Sequence, residues 1–257
     1  SPSNLKKALD RHATSKIKHT EDLWKLKSFG FRGEALASIS AVSELTLTSR
    51  QASEKLGRQI ISQYGKSSEV DDRGAPVGTE VMVRNLFENV PARLKFLKTA
   101  AAESGKIKTT LKALALANPH VSFRLTQEQQ LVHFWPSSTA LKRAEAICEV
   151  PLYEAEGAFE NCQAKIYFSD PNTTQKTSKD IWIFAQNRWI QDRSIQTAVM
   201  DAYRNLLMHG EFPVCVVFVE VPKEEIDVNI HPTKSQVKFL NPSSVFRAVQ
   251  RTLREGL

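Results

Sequence analysis

The string from Gly30 to Leu36, Gly-Phe-Arg-Gly-Glu-Ala-Leu, sets two glycines around Arg32 just ahead of a helical pattern. Glycine lets main chain approach a ligand closely. The first turn of a helix directs unpaired N–H groups outward, which suits an anion. No Gly-Lys-Ser/Thr ending follows, so this is not a Walker-type loop, and on spacing alone an ordinary turn into a helix with Phe29 and Phe31 buried is the favoured account. Arg11-His12-Ala13-Thr14-Ser15-Lys16 offers two hydroxyls and an ammonium in succession. These are donors for phosphate oxygens, with the lysine as a point charge; a polar helix end followed by a solvated lysine explains the segment about as well. The segment from Asp227 to Lys234 holds Pro232 in a turn between two β patterns and projects Lys234 from its tip. A lysine placed there can neutralise charge on a transferring phosphoryl group, although from the residues alone a surface loop with a salt-bridged lysine is favoured.

The elements that would hold these segments follow from periodicity. Leu5, Ala8 and Leu9 recur at helical spacing, and Thr20 with Glu21 and Asp22 suits a second helix start. Leu36, Ile39 and Val42 form the apolar stripe of another helix. Residues 44–50 and 78–84 alternate as strands, with a polar loop or hairpin over 63–77 between them. Residues 106–116 predict an amphipathic helix ended by Asn118-Pro119, followed by strands at 121–125 and 130–135. Pro136-Ser137-Ser138-Thr139 reads as a domain boundary, with Thr139 capping a helix through Ile147. This divides the chain into 1–136 and 137–257. Beyond it, strands at 163–169, 181–186, 214–221 and 236–240 mix with helices at 194–208 and 243–255. The predicted fold class is α+β.

Composition narrows the function. The chain has 257 residues, 35 Lys plus Arg against 28 Asp plus Glu, and a formal charge of +7. Its 41% hydrophobic content excludes a disordered chain. The apolar run from Pro213 to Pro222 is too short to span a bilayer, so no membrane is expected as a partner. No signal peptide is legible, and Cys148, Cys162 and Cys215 fit neither a disulfide framework nor a zinc site; a cytoplasmic chain with small core thiols is expected. Basic residues crowd the stretch from Arg84 to Lys112, and Arg188, Arg193 and Arg204 add to them. Such an excess neutralises phosphates along DNA, though solvated helix lysines look the same. No metal cluster, HExxH or GxSxG motif is present.

Taken in order, these segments resemble the N-terminal ATPase region of the MutL mismatch-repair family. The resemblance rests on Arg11 to Lys16, Gly30 to Ile39, Leu45 to Arg50, Pro76 to Thr79, Pro91 to Arg93 and Asp227 to Lys234. It implies a partial GHKL (Bergerat) ATP-binding domain over 1–136 and a ribosomal-S5 domain-2-like domain over 137–257. In that family Thr14, Ser15 and Lys16 lie at the nucleotide. Gly30, Phe31, Arg32, Gly33, Glu34, Ala35 and Leu36 form a lid over the triphosphate, and Thr79 supports the adenine side. Lys234 serves the γ-phosphate, both as a nucleotide contact and as the catalytic residue carried by this chain. Arg188 and Arg193 correspond to a segment that binds DNA without sequence preference, although Gln186-Asn187-Arg188 replaces the usual Asn-Gly-Arg turn.

The family's general-base glutamate, its magnesium-binding asparagine and its adenine-binding aspartate motif belong ahead of Ser1, and Asp72-Arg73-Gly74 lacks that motif's spacing. ATP and Mg2+ are thus the cofactors of the complete family domain, and this polypeptide alone is expected to hydrolyse ATP poorly or not at all. No metal ligand is assigned within it. The implied function is ATP-gated, non-specific binding of double- or single-stranded DNA. The implied protein partners are a MutS-type mismatch-recognition protein and a downstream repair nuclease or helicase. The alternative is a shortened DNA- and protein-binding module without ATPase activity. A monomer is expected, because family dimers lock through an N-terminal arm.

Overall fold

Leu45 and Leu47 alternate with polar residues along Glu44–Arg50 (β1), and burying those two leucines organises the first sheet. The computed structural model describes residues 2–13, 33–228 and 236–257. They fall into two compact units, Ser1–Glu103 and Ser104–Leu257.

In the first unit β1 is central. It pairs antiparallel with Gly57–Gln63 (β2), setting Leu47 opposite Ile60, and with Gly78–Arg84 (β5), setting Leu47 opposite Val81. Short strands Lys66–Ser67 (β3) and Asp71–Arg73 (β4) fold back on β2. Helices Pro2–Ala8 (α1) and Ala35–Ser40 (α2) supply Leu5, Leu36 and Ile39 to a small core with Leu45, Leu47 and Ile60. A four-residue helix, Pro91–Leu94 (α3), follows β5. Tyr64 turns the β2–β3 hairpin and donates its phenolic hydrogen to the Glu88 carboxylate. This acceptor pushes the Tyr64 pKa up to about 12.

The second unit begins within Ala100–Ala117 (α4), followed by the hairpin Phe123–Gln127 (β6) and Gln130–Trp135 (β7) and by Ala140–Cys148 (α5). Its main sheet combines Tyr153–Phe159 (β8), Cys162–Phe168 (β9), Ile181–Ala185 (β11), Arg188–Ile190 (β12) and Cys215–Glu220 (β14). Their spatial order is β12-β11-β14-β9-β8, with only β11 and β14 parallel. Two-residue strands Thr174–Gln175 (β10) and Phe212–Pro213 (β13) pair beside it, as do Ile226–Asp227 (β15) and Lys238–Phe239 (β16).

One face of this sheet, including Ala164, Ile166, Val217 and Val219, packs on Arg193–Ala202 (α6) and Pro242–Gly256 (α7). A Cβ on Gly157 of β8 would meet the Thr252 hydroxyl of α7 at 2.4 Å, so the absence of a side chain sets how closely helix and sheet approach. The opposite face buries Tyr167, Trp182, Phe184 and Val216 against α4 and α5.

Arg143 of α5 explains where the second unit starts. It is 1% exposed, and its guanidinium donates to the carbonyls of Ala115, Pro119, Val121 and Pro136 at 2.7–3.1 Å. One side chain therefore joins the end of α4, the β6–β7 hairpin and α5. The packing unit begins at Ser104, whereas the compositional break lies at 136/137. Two long strands, β2 and β8, also lie where periodicity predicted none, and α6 ends at Ala202 rather than running to 208.

Candidate functional site

In the first unit the described ends of two of the candidate segments, at Ala13 and at Gly33, approach one another. Gly33 has φ +64°, and a Cβ placed on it would lie 2.3 Å from the Ala13 carbonyl oxygen and 2.9 Å from the Ala13 nitrogen. His12 also adopts a left-handed backbone, φ 65°. Next to Gly33, Glu34 is the N-cap of α2 but makes no side-chain cap bond. Its carboxylate lies 3.1 Å from His12 Nδ1 instead. A main-chain approach and an imidazole–carboxylate contact thus join the residues just before Thr14 to those just after Arg32. Sequence spacing gave His12 no such role.

Beside this junction lies a cavity of about 280 Å3 within the first unit. Leu5, Leu36 and Leu47 supply apolar wall, and Ser49 and Thr79 supply hydroxyls. The register sets Ser49 of β1 opposite Thr79 of β5, which brings their oxygens to 2.9 Å. Ser49 Oγ also lies 3.3 Å from the Gly78 carbonyl oxygen. Ser49 was not singled out by sequence, although it falls within the strand that carries the family resemblance. On another wall Arg58 is held by Asp72 at 2.7 Å. An apolar cleft with a hydroxyl pair on one wall suits a planar heterocycle, which needs apolar contact and a few fixed polar groups. The residues present therefore fit the base end of a nucleotide. Of the sequence candidates, Leu36 and Thr79 share this cavity, and Gly33, Glu34 and Ala35 lead into it along the chain.

Thr14, Ser15, Lys16, Gly30, Phe31, Arg32 and Lys234 lie outside the described residues. Among the described residues no group of three or more His, Cys, Asp or Glu side chains is placed to hold a metal ion.

The two DNA candidates of the second unit differ in setting. Arg193 is exposed and opens α6, whose N-cap Asp192 accepts from the Ile195 N–H at 2.9 Å. Arg188 opens β12 half-buried, and desolvation lowers its pKa. Gln186 and Asn187 both have positive φ, 51° and 60°, so the turn forms without the family's glycine. The three cysteines are free. Burial pushes the Cys148 thiol up to about 12 and Cys162 to about 11 and raises Cys215 as well, which removes thiolate chemistry at neutral pH. No helix among the described residues is long and apolar enough to cross a membrane.

Comparison with known proteins bears on the family and the fold. The family model described as DNA mismatch repair protein, C-terminal domain, matches residues 143–257. The DNA mismatch repair protein MutL of Geobacter sulfurreducens is 38% identical over 254 residues, which are 97% of this chain and 42% of that protein. The chain thus spans less than half the length of this curated relative. The solved structure of the Aquifex aeolicus MutL ATPase domain complexed with ADP superposes with a TM-score of 0.64 at 30% identity, covering 80% of this chain and 77% of that one. The gyrase B-subunit of Myxococcus xanthus, at 13% identity and a TM-score of 0.53, shares the fold alone. The architecture is therefore α+β, with a GHKL-type ATPase fold in its first part. On these likenesses the chain belongs to the MutL family of DNA mismatch repair proteins.

Proposed function

We propose that this chain is an ATP-handling, DNA-binding region of a mismatch repair protein. Nucleotide state would gate its sequence-non-specific grip on DNA and its recruitment of a MutS-type protein and of a repair nuclease or helicase. The observation that carries this reading is the junction of Ala13 with Gly33 and of His12 with Glu34, beside a cavity bearing Leu36 and Thr79. Segments 20 residues apart in sequence converge where a nucleotide's base would be held. Ser49 and Thr79 orient the base, and Leu36 and Leu47 exclude water from it.

Thr14, Ser15, Lys16 and Gly30 to Arg32 take the phosphates in this proposal, and the assignment of Lys234 to the γ-phosphate is part of it. Mg2+, when bound, neutralises charge on the phosphate oxygens. Arg193 supplies an exposed positive charge to the DNA backbone, and Arg188 contributes less because it is half-buried.

Photolabelling with 8-azido-ADP tests the base site. Peptides spanning 44–58 and 76–84 should carry the adduct, and excess ADP should suppress it. Labelling confined to other peptides, or no ADP-suppressed labelling, overturns the assignment.

A further inference from the structure

A cavity of about 730 Å3 lies wholly within the second unit, on the sheet face that α4 and α5 cover only in part. Strand register determines what it displays. Glu156 of β8, Lys165 of β9 and Phe218 of β14 stand in one row across the strands, and Gln163 and Glu220 stand in the next. Phe218 is the half-exposed residue of a strand otherwise buried from Cys215 to Val219. It stacks on Phe184 at 4.7 Å and meets Tyr167 edge-on at 6.2 Å, so the aromatic floor is fixed.

The charges around this floor oppose the chain's overall sign. The Lys165 ammonium lies 2.6 Å from a Glu154 oxygen and also bonds Glu156, which together hold its pKa above the ordinary lysine value. Lys165 is therefore already committed to two carboxylates. Glu220 is exposed and, among the described residues, pairs with no cation. Of the carboxylates and ammonium groups that line the cavity, Glu156 and Glu220 stand against Lys165 alone, so its lining is acidic on a chain of +7. A nucleic-acid backbone is repelled by such a face, and a cation is drawn to it. Asn187, in the β11–β12 turn, adds an amide at the rim.

We infer that this cavity takes a lysine or arginine side chain presented by a partner protein. The aliphatic stem lies along the half-exposed Phe218, whose ring face also attracts a cation, while Tyr167 stays buried beneath with Lys165 over its ring. The charged head reaches Glu220, with the Asn187 side-chain carbonyl as a second acceptor. This places protein recognition on the opposite sheet face from α6, whose first residue is the DNA candidate Arg193. The inference does not rest on nucleotide binding.

The test titrates the isotope-labelled 257-residue chain with the blocked tripeptide Ala-Arg-Ala and, separately, with Ala-Gln-Ala, following backbone amide resonances. The arginine peptide should produce saturable shifts at β9, at β14 and in the β11–β12 turn, and the glutamine peptide should not. Glu220→Gln, a surface change, should weaken the arginine peptide roughly three- to fivefold while leaving the melting temperature in place. Absent or non-saturable shifts, equal shifts with the glutamine peptide, saturation centred on another surface, or an unchanged affinity in Glu220→Gln would each overturn the inference.

Discussion

Replacing Gly33 with alanine should part the two segments that frame the candidate nucleotide site. The cost has two sources. At φ +64° an alanine is strained by about 1–2 kcal/mol. Its Cβ would lie 2.3 Å from the Ala13 carbonyl oxygen, where ordinary contact begins at 3.4 Å, so the backbones must separate by about 1 Å. Backbone cannot swing aside as a flexible side chain can, and forced shifts of this kind cost about 1–3 kcal/mol. Together these reach about 2–5 kcal/mol. Among the described residues, the side-chain tie between the two segments is the solvent-exposed His12–Glu34 contact, worth about 0–1 kcal/mol. Local opening is therefore cheaper than tolerating the clash.

Hydrogen exchange should rise in peptides covering 9–13 and 33–40, and 8-azido-ADP labelling should fall about tenfold or more. Two further glycines separate the causes. Gly78 has φ +130° with open space around its Cβ direction, so alanine there reports backbone strain without a clash. Gly74 has open space and no positive φ, and its alanine variant should stay within about 0.5 kcal/mol of the parent. If Gly33→Ala exchanges and labels as the parent does, the junction is not what frames the site.

Three other perturbations probe the rest of the molecule. Arg143→Met removes the guanidinium that donates to four carbonyls inside the second unit, of which Pro119 keeps the Ser138 N–H, and should cost about 1–3 kcal/mol for each carbonyl left without a donor in urea unfolding; a total loss below about 1 kcal/mol would show that α4, the hairpin and α5 hold together without it. Arg193→Glu should weaken duplex DNA binding and lower the slope of log affinity against log salt by about 1 or more. Arg188→Ala should do less, and equal effects would contradict the difference in their burial. Tyr64 has a folded-state pKa of about 12 against an ordinary 10, so its bond to Glu88 contributes in full below pH 10 and is lost as pH rises through 12. The melting-temperature gap between the parent and Tyr64→Phe should accordingly close over that range, and a gap independent of pH would refute the assignment.

The elements legible in the sequence are those whose burial is one-sided and whose buried residues are large. β1 is read from the alternation of Leu45 and Leu47, and α7 from the stripe of Val245, Val249 and Leu253. β5 shares the bounds that alternation predicts, although all seven of its residues are exposed. β2 escaped notice because its large apolar residues, Ile60 and Ile61, are adjacent rather than alternate, one facing the core and one solvent. β8 escaped because its inward positions are Ala155, Gly157 and Phe159, kept small in the middle so that α7 can approach. At the site, motifs were legible one at a time, but their meeting was not. The Ser49–Thr79 pair spans 30 positions and depends on a register that only the folded sheet sets.

Charge was the least legible property, because a formal sum of +7 treats every basic residue as available. Arg143 is buried among carbonyls, Arg188 is half-buried, and Lys165 is held by two glutamates. Arg58, Arg251 and Arg254 face Asp72, Glu255 and Asp201. Each internally paired or desolvated cation is one that releases no counterion from DNA when the protein binds. The number of phosphates neutralised, and hence the salt slope, scales with the unpaired surface cations alone. Arg193 is exposed and, among the described residues, forms no ion pair, whereas the acidic cavity beside Glu220 lies on the sheet face away from α6. The proposed attractions of a DNA backbone at Arg193 and of a basic protein side chain at Glu220 do not exclude one another within one unit, because the two residues lie on opposite sides of the sheet.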